Sequence, residues 1–297
     1  MIKYNLVFSV TALSIFLVCT GAFAFKADVL PSKINPGDAF VVKVTRDRVN
    51  PTGTETKELP SAVLNGRPAL PSKRGRQLYF SSCGSECFYA IGSVDVDTEP
   101  GSYFIQLSSG ETKKNLSLTV KSAAFPVIEL TLPEEKVFLS PEDQKKADRE
   151  AERLNSIWQI ASERLWQGNF ILPAENNIST MFGTTRIFNK KKVSLHRGLD
   201  IKGKEGEAVK ASNRGRVVLA EELFFGGNTI ILDHGQGIYT IYMHLSKFSV
   251  KPGYVVSRGE IIGSVGSSGR ASGPHLHFGV KVLNVSTNPL SVVKLNL

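Results

Sequence analysis

The sequence predicts a mainly β protein: an N-terminal immunoglobulin-like β-sandwich, a connector helix and a C-terminal all-β domain. Three observations predict it. Residues 25–126 break into short apolar runs set off by turns at roughly ten-residue spacing. A charged stretch then opens at Ser140 with a helix-start signature, and strand-like runs with glycine-bearing turns return from Phe170. At 297 residues, 41% of them hydrophobic, the chain has the material for two cores.

The first 24 residues read as a secretory signal peptide outside the fold. Lys3 gives the positive start, Leu6 to Val18 the apolar run, and Ala22-Phe23-Ala24 a small-residue cleavage site that makes Phe25 the first mature residue. The run is short for a membrane span. Phe16-Leu17-Val18 is a poor lead-in for lipid anchoring at Cys19, because that modification wants a small residue before the cysteine. The whole chain carries a formal charge of +9, and the chain from Phe25 carries +8. The expectation is an exported protein of the bacterial periplasm, cell envelope or exterior, drawn to anionic surfaces. No nucleic-acid motif accompanies the charge. Cys83 and Cys87 are the cysteines left after processing; with no second pair to complete a zinc site, a local disulfide is the preferred reading.

In the N-terminal domain the strand candidates are Ala39–Val44 after the turn Asn35-Pro36-Gly37-Asp38, Gln77–Phe80, Cys87–Ala90, Ser102–Leu107 after Glu99-Pro100-Gly101, and Asn115–Val120. None carries a catalytic-looking cluster. Residues 127–139 form a linker. Ser140-Pro141-Glu142-Asp143 supplies an N-cap, a proline at the first position and acids in the first turn of a helix expected to run to about Trp166. Leu154, Ile157, Trp158, Ala161 and Leu165 give it one apolar stripe, and Gln167-Gly168 ends it. In the C-terminal domain, 168–297, strands are expected at Gly215–Ala220, Asn228–Asp233, Gly237–Tyr242, Glu260–Val265 and Leu276–Val282.

All five histidines lie between Ser194 and Gly279: His196, His234, His244, His275 and His277. His275 and His277 are two apart on a strand, so both rings face one side while Leu276 packs behind. The same parity is expected of Tyr242 and His244. His196 and Asp200 are four apart around Gly198, which argues against a helix, so a turn and a strand start could deliver both to one ion. A catalytic zinc wants about three protein ligands and an open position. One carboxylate and two imidazoles fill that count and leave two imidazoles for acid–base work. No His-Glu-x-x-His helix motif is present.

At these residues the chain resembles the M23 metallopeptidases, the lysostaphin/LytM-type cell-wall endopeptidases. The resemblance covers about Phe170 to Val292. It rests on His196-x3-Asp200, on Tyr242-Met243-His244-Leu245 and on His275-x-His277 within Gly-Pro-His-Leu-His-Phe-Gly, in that order. Met181-Phe182-Gly183, Asp233-His234-Gly235-Gln236-Gly237 and Gly266-Ser267-Ser268-Gly269 support it. It implies a LytM-type peptidase domain and one Zn²⁺ on His196, Asp200 and His277. His244 and His275 would be the catalytic histidines outside the ligand set, with peptide bonds of peptidoglycan stems or cross-links as substrate. His234 matches a common family position and reads as structural. No ligand position is substituted, which counts against the alternative of a non-enzymatic or latent envelope protein that binds the wall or activates a partner hydrolase. A regulatory envelope protein is the partner that alternative implies. Arg186, Lys190, Lys191 and Lys192, just before His196, are expected on a hairpin beside the cleft, where they either hold anionic substrate groups or are simply solvated.

Overall fold

The structure, a computed structural model, describes residues 25–46, 59–65, 76–109, 112–131 and 134–297. The expected signal peptide and Cys19 lie outside the described residues. Among those described, no helix is long and apolar enough to cross a membrane.

The N-terminal module is two packed sheets. One has the order Phe25–Leu30, Ala39–Arg46, Cys87–Ser93, Ser81–Gly84; the other Lys33–Ile34, Thr112–Val120, Gly101–Ser109, Ser61–Asn65, Arg76–Leu78. Alternation along Ala39–Arg46 explains its unbroken apolar run. Phe40, Val42 and Val44 point into the sandwich core with Ile105, Leu107 and Leu118. Ala39 and Val41 point the other way, joining Tyr89, Ile91, Trp166, Phe170 and Phe182 in a core continuous with the C-terminal domain. The module is therefore fused to the second domain through its back face. Polar contacts reinforce the seam: Asn288 Nδ2 donates to Asp38 Oδ1 at 2.8 Å, Asn288 N to Gly37 O at 2.7 Å, and Ala39 N to Ser291 Oγ at 2.9 Å.

The expected strand Gln77–Phe80 is corrected. Its first half belongs to Arg76–Leu78 of one sheet, and the chain crosses at Tyr79-Phe80 to begin Ser81–Gly84 of the other. Phe80 stays buried at the crossing. Cys83 and Cys87 are disulfide-bonded across that hairpin, Cα–Cα 5.0 Å.

The linker is ordered on the C-terminal domain. Val127–Leu130 runs parallel to Thr185–Phe188, and a short helix, Glu134–Val137, lies against the hairpin of Thr185–Phe188 and Lys192–Leu195. The long helix runs Pro141–Trp158, with Ser140 Oγ accepting from Asp143 N at 3.1 Å. It stops eight residues short of the expected Trp166, and no glycine ends it. The backbone from Ile160 leaves the helix because the sheet offers it better partners. Leu165 N and Trp166 N both donate to His234 O, Gln236 N donates to Ser162 O, and Ser162 Oγ donates to Asp233 Oδ2. The approach is close enough that a Cβ on Gly235, at φ +89°, would sit 2.0 Å from Glu163 O. Tertiary pairing thus overrides helical propensity. Leu154, Ile157 and Trp158 of the expected stripe pack on Leu219, Ile231, Tyr239 and Ile241.

The C-terminal domain is built on a ten-stranded, largely antiparallel sheet. Its main path is Ile178–Thr180, Leu199–Lys202, His275–Val282, Ile238–Phe248, Gly227–Gly235, Gly215–Leu223, Val255–Val256. One face, with Leu276, Phe278, Val280, Ile230, Leu232 and Tyr242, is core. The other face carries the helix at one end, where Lys281 lies over Trp158, and His277 and His275 at the other.

Candidate metal centre

Asp200 and His277 are cross-strand partners on neighbouring central strands, so their side chains start side by side on one face. His196 enters from the end of the hairpin, where its backbone N–H donates to Thr184 O and its carbonyl accepts from Gly183 N. Gly198 leaves room for the group: a Cβ there would stand 2.6 Å from His277 Nε2 and 2.7 Å from Phe278 O.

Three donor atoms then converge. His196 Nε2, His277 Nδ1 and Asp200 Oδ1 form a triangle with edges of 3.0, 2.9 and 2.9 Å. His196 Nδ1 commits its proton to Met181 O at 2.9 Å, which leaves Nε2 as a bare lone pair. Burial comes first in opposing the charge of Asp200, but the neighbouring rings of His196 and His277 outweigh it and hold the carboxylate well below its usual range. Burial is the main cause that lowers His277 and keeps its ring neutral. With His196 Nε2 and Asp200 Oδ1 both acceptors, at most one proton, on His277 Nδ1, lies among the three atoms, too few to satisfy them all. A cation resolves the conflict. The set also fits zinc in chemistry and size: N/O donors about 2.0–2.1 Å from a tetrahedral ion lie about 3.3 Å apart. The outer oxygen, Asp200 Oδ2, accepts from Arg186 Nη2.

Two more imidazoles flank the triangle. His275 Nδ1 donates to Gly273 O at 2.8 Å, and its Nε2 lies 3.8 Å from Asp200 Oδ1. His244 Nδ1 donates to Ser268 O at 2.9 Å, and its ring stacks 4.8 Å from that of His275. These backbone acceptors fix both tautomers, so each ring presents Nε2 as an acceptor. The rings of His275 and His277 remain 18% and 16% exposed, so the centre is open to solvent.

His275 and His277 share a face as expected, but the parity of Tyr242 and His244 is corrected. Tyr242 lies on the core face against Phe278, ring centroids 5.5 Å apart. Strict alternation would send His244 there too. Instead the pairing with Gly227–Gly235 slips between Asn228 and Ile230, and His244 adopts φ +64°. This β-bulge turns the imidazole to the metal face and returns Leu245 to the core.

His234 is separate from this group. It is fully buried; Nδ1 donates to Arg214 O at 2.9 Å and Nε2 lies 2.7 Å from Thr240 Oγ1, itself 2.9 Å from the Tyr242 hydroxyl. The basic hairpin divides. Arg186 reaches the centre, but Lys191 pairs with Glu134 and Lys192 Nζ donates to Val137 O, so those two hold the linker. Arg270, whose guanidinium lies 4.4 Å from the ring centre of Phe225 and near Arg186, was not singled out in the sequence. A lone arginine in a glycine- and serine-rich loop next to His275 was its only signal.

Comparison with known proteins finds similarity over the segment that carries these residues. Residues 194–289 match the model of peptidase family M23. The peptidoglycan DD-endopeptidase ShyA of Vibrio cholerae is 39% identical over 121 residues, 40% of this chain and 27% of that protein. The DD-carboxypeptidase/endopeptidase Mpg of Neisseria meningitidis is 41% identical over 98 residues, 33% of this chain and 23% of that protein. The chain thus spans about a quarter of the length of these relatives. A crystal structure from Pseudomonas aeruginosa, assigned to peptidase M23, covers 87% of this chain and 94% of its own at 25% identity, with a TM-score of 0.64. Over residues 194–289 the chain is thus similar to peptidase family M23.

Proposed function

We propose that this chain is a zinc metalloendopeptidase that hydrolyses peptide bonds in the stems or cross-links of peptidoglycan. The observation that carries the reading is the pairing of a cation-demanding triangle, His196, Asp200 and His277, with two tautomer-fixed imidazoles outside it. Support for the substrate comes from the relative named as a peptidoglycan DD-endopeptidase and from the chain's basic charge. The Ala-Phe-Ala sequence at residues 22–24, read as a cleavage site, and the Cys83–Cys87 bond favour an exported protein of the cell envelope.

His196, Asp200 and His277 hold the ion. A bound Zn²⁺ supplies Lewis acidity and makes a nucleophile available near neutral pH. His275 Nε2, 3.8 Å from Asp200 Oδ1 and left as an acceptor by its Nδ1 hydrogen bond, accepts the proton released at attack. It then delivers that proton to the leaving amine. His244 is held neutral, chiefly by burial, which pushes it down to about 4. Its lone pair orients the attacking group by accepting a hydrogen bond.

The test is digestion of purified peptidoglycan by the zinc-loaded protein from Phe25 onward, with fragments read by mass spectrometry and His275→Ala beside it. New peptide ends made by wild type and not by the variant are expected. Absence of cleavage by zinc-loaded wild type overturns the proposal.

A further inference from the structure

The loop from Gly266 to Pro274 does more than hold the catalytic imidazoles. Through Ser268 O and Gly273 O it fixes His244 and His275, and between those carbonyls it carries Arg270. The Arg270 backbone is tied down, N–H donating to Phe225 O at 3.0 Å. Its guanidinium lies 4.4 Å from the ring centre of Phe225 and 6.0 Å from that of Phe188. Phe225 precedes Gly226, whose carbonyl accepts from His244 N. Phe188 lies on the same strand as Arg186, which binds Asp200. Arg270 therefore lies against two aromatic rings whose chain neighbours, Arg186 and Gly226, contact the metal-side residues Asp200 and His244.

What it lacks is a counter-charge. Among the described residues, no carboxylate lies within ion-pair distance of Arg270, and its side-chain N–H groups donate to nothing. Its charge is opposed first by burial and then by Arg186. Arg186 has Asp200 to neutralise it; Arg270 has none. Arg270 is exposed, so an incoming anion can reach it, and a position beside another guanidinium and a cation site favours an anion.

We propose that Arg270 binds a free carboxylate of the substrate, the α-carboxylate of the residue on the amine side of the scissile amide. On the acyl side the α-carboxyl is the group being cleaved, so a free α-carboxylate directly flanking the bond belongs to the leaving residue. The planar fork of arginine suits a carboxylate, and the aromatic rings hold the fork in plane. The inference rests on the peptidase reading and deepens it: the preferred substrate is a peptide whose leaving residue is a free acid.

The test separates the two. Binding is measured by NMR titration on zinc-loaded His275→Ala protein, which holds ligand without turnover. The probes are an N-acylated D-alanyl-D-alanine with a free C-terminal carboxylate and the same peptide as the C-terminal amide. The acid should bind on the order of tenfold or more tightly than the amide, as a charge-assisted bidentate contact requires. Adding Arg270→Gln should remove most of that preference, and Arg270→Lys should keep part of it, with melting temperature and zinc content unchanged. Equal binding of acid and amide, no measurable binding of the acid, or a preference that survives Arg270→Gln overturns the inference. Wild-type digestion of peptidoglycan judges the peptidase reading separately. Cleavage without acid preference removes the carboxylate site alone; acid preference without cleavage removes the peptidase reading alone.

Discussion

Arg186 Nη2 binds the outer oxygen of Asp200 while the inner oxygen faces His196 and His277. One carboxylate is thereby divided between a fixed guanidinium and the metal-binding triangle. The contact sets the plane of the carboxylate, the task commonly given to partners just outside a metal's ligands. Arg186→Ala should weaken zinc binding about 10–100-fold, the usual cost of losing such a partner. Arg186→Lys should recover only part of it, because a point charge does not fix a plane. Competition titration against a chromophoric chelator reads both variants, and an unchanged zinc affinity would remove this role from Arg186.

The ligand and non-ligand histidines should separate cleanly. His277→Ala should lose both zinc and activity. His244→Ala and His275→Ala should keep stoichiometric zinc while cleavage falls by about 10²–10⁴, the range for loss of a positioned acid or base. Metal analysis and digestion rates on the same preparations decide the point. Loss of zinc from His275→Ala would move that residue into the ligand set.

Much of this site could be read in the sequence because alternation on a strand is rigid. His275-Leu276-His277 needed only period two to place both rings opposite the core, and the neighbouring strand then brought Asp200 beside His277. Where the reading failed, the cause was non-local. His244 reaches the site through a bulge and a positive φ, which no residue near it announces. The helix ends at Trp158 because Leu165 and Trp166 find hydrogen bonds on His234, some 70 positions away in the chain. The crossing at Tyr79-Phe80 likewise depends on which sheet each half can join. Arg270 gains its meaning only from Phe188 and Phe225, which come from distant strands.

His234 predicts a pH dependence of stability. Burial is the chief cause that lowers it from an ordinary 6.5 to about 4 in the folded state. In the neutral form Ser212 N–H donates to the Tyr242 hydroxyl, which lies 2.9 Å from Thr240 Oγ1, and His234 Nε2, 2.7 Å from that oxygen, serves as an acceptor because Nδ1 donates to Arg214 O. A depressed pKa means the unfolded chain binds more protons between the two values. The contribution is therefore fully present above about pH 6.5 and is lost as pH falls towards 4. The loss amounts to about 3 kcal/mol once both pKa values are passed. Urea unfolding of wild type and His234→Gln across that range checks it: the two curves should converge as pH falls, and parallel curves would mean His234 does not titrate with unfolding.

The last prediction concerns two glycines that let the loop sit where it does. Gly227, at φ +58°, and Gly269, at φ +66°, touch backbone to backbone. A Cβ on Gly269 would stand 2.2 Å from Gly227 N, and one on Gly227 would stand 2.3 Å from the carbonyl carbon of Ser268. Neither clash is with a flexible side chain, so one backbone must move, and each residue also sits where L side chains are strained. The loop carries the carbonyls that orient His244 and His275, so a shift on its side of the contact reaches both imidazoles. Gly269→Ala should therefore lower cleavage more than stability. A displacement approaching 1 Å at the imidazoles would cost about 10²-fold in rate, while the strain would remove about 1–3 kcal/mol from unfolding. Zinc affinity should hold, because His196, Asp200 and His277 all lie outside the loop. Rate, urea midpoint and zinc titration on one preparation distinguish this from general unfolding, in which all three would fall together.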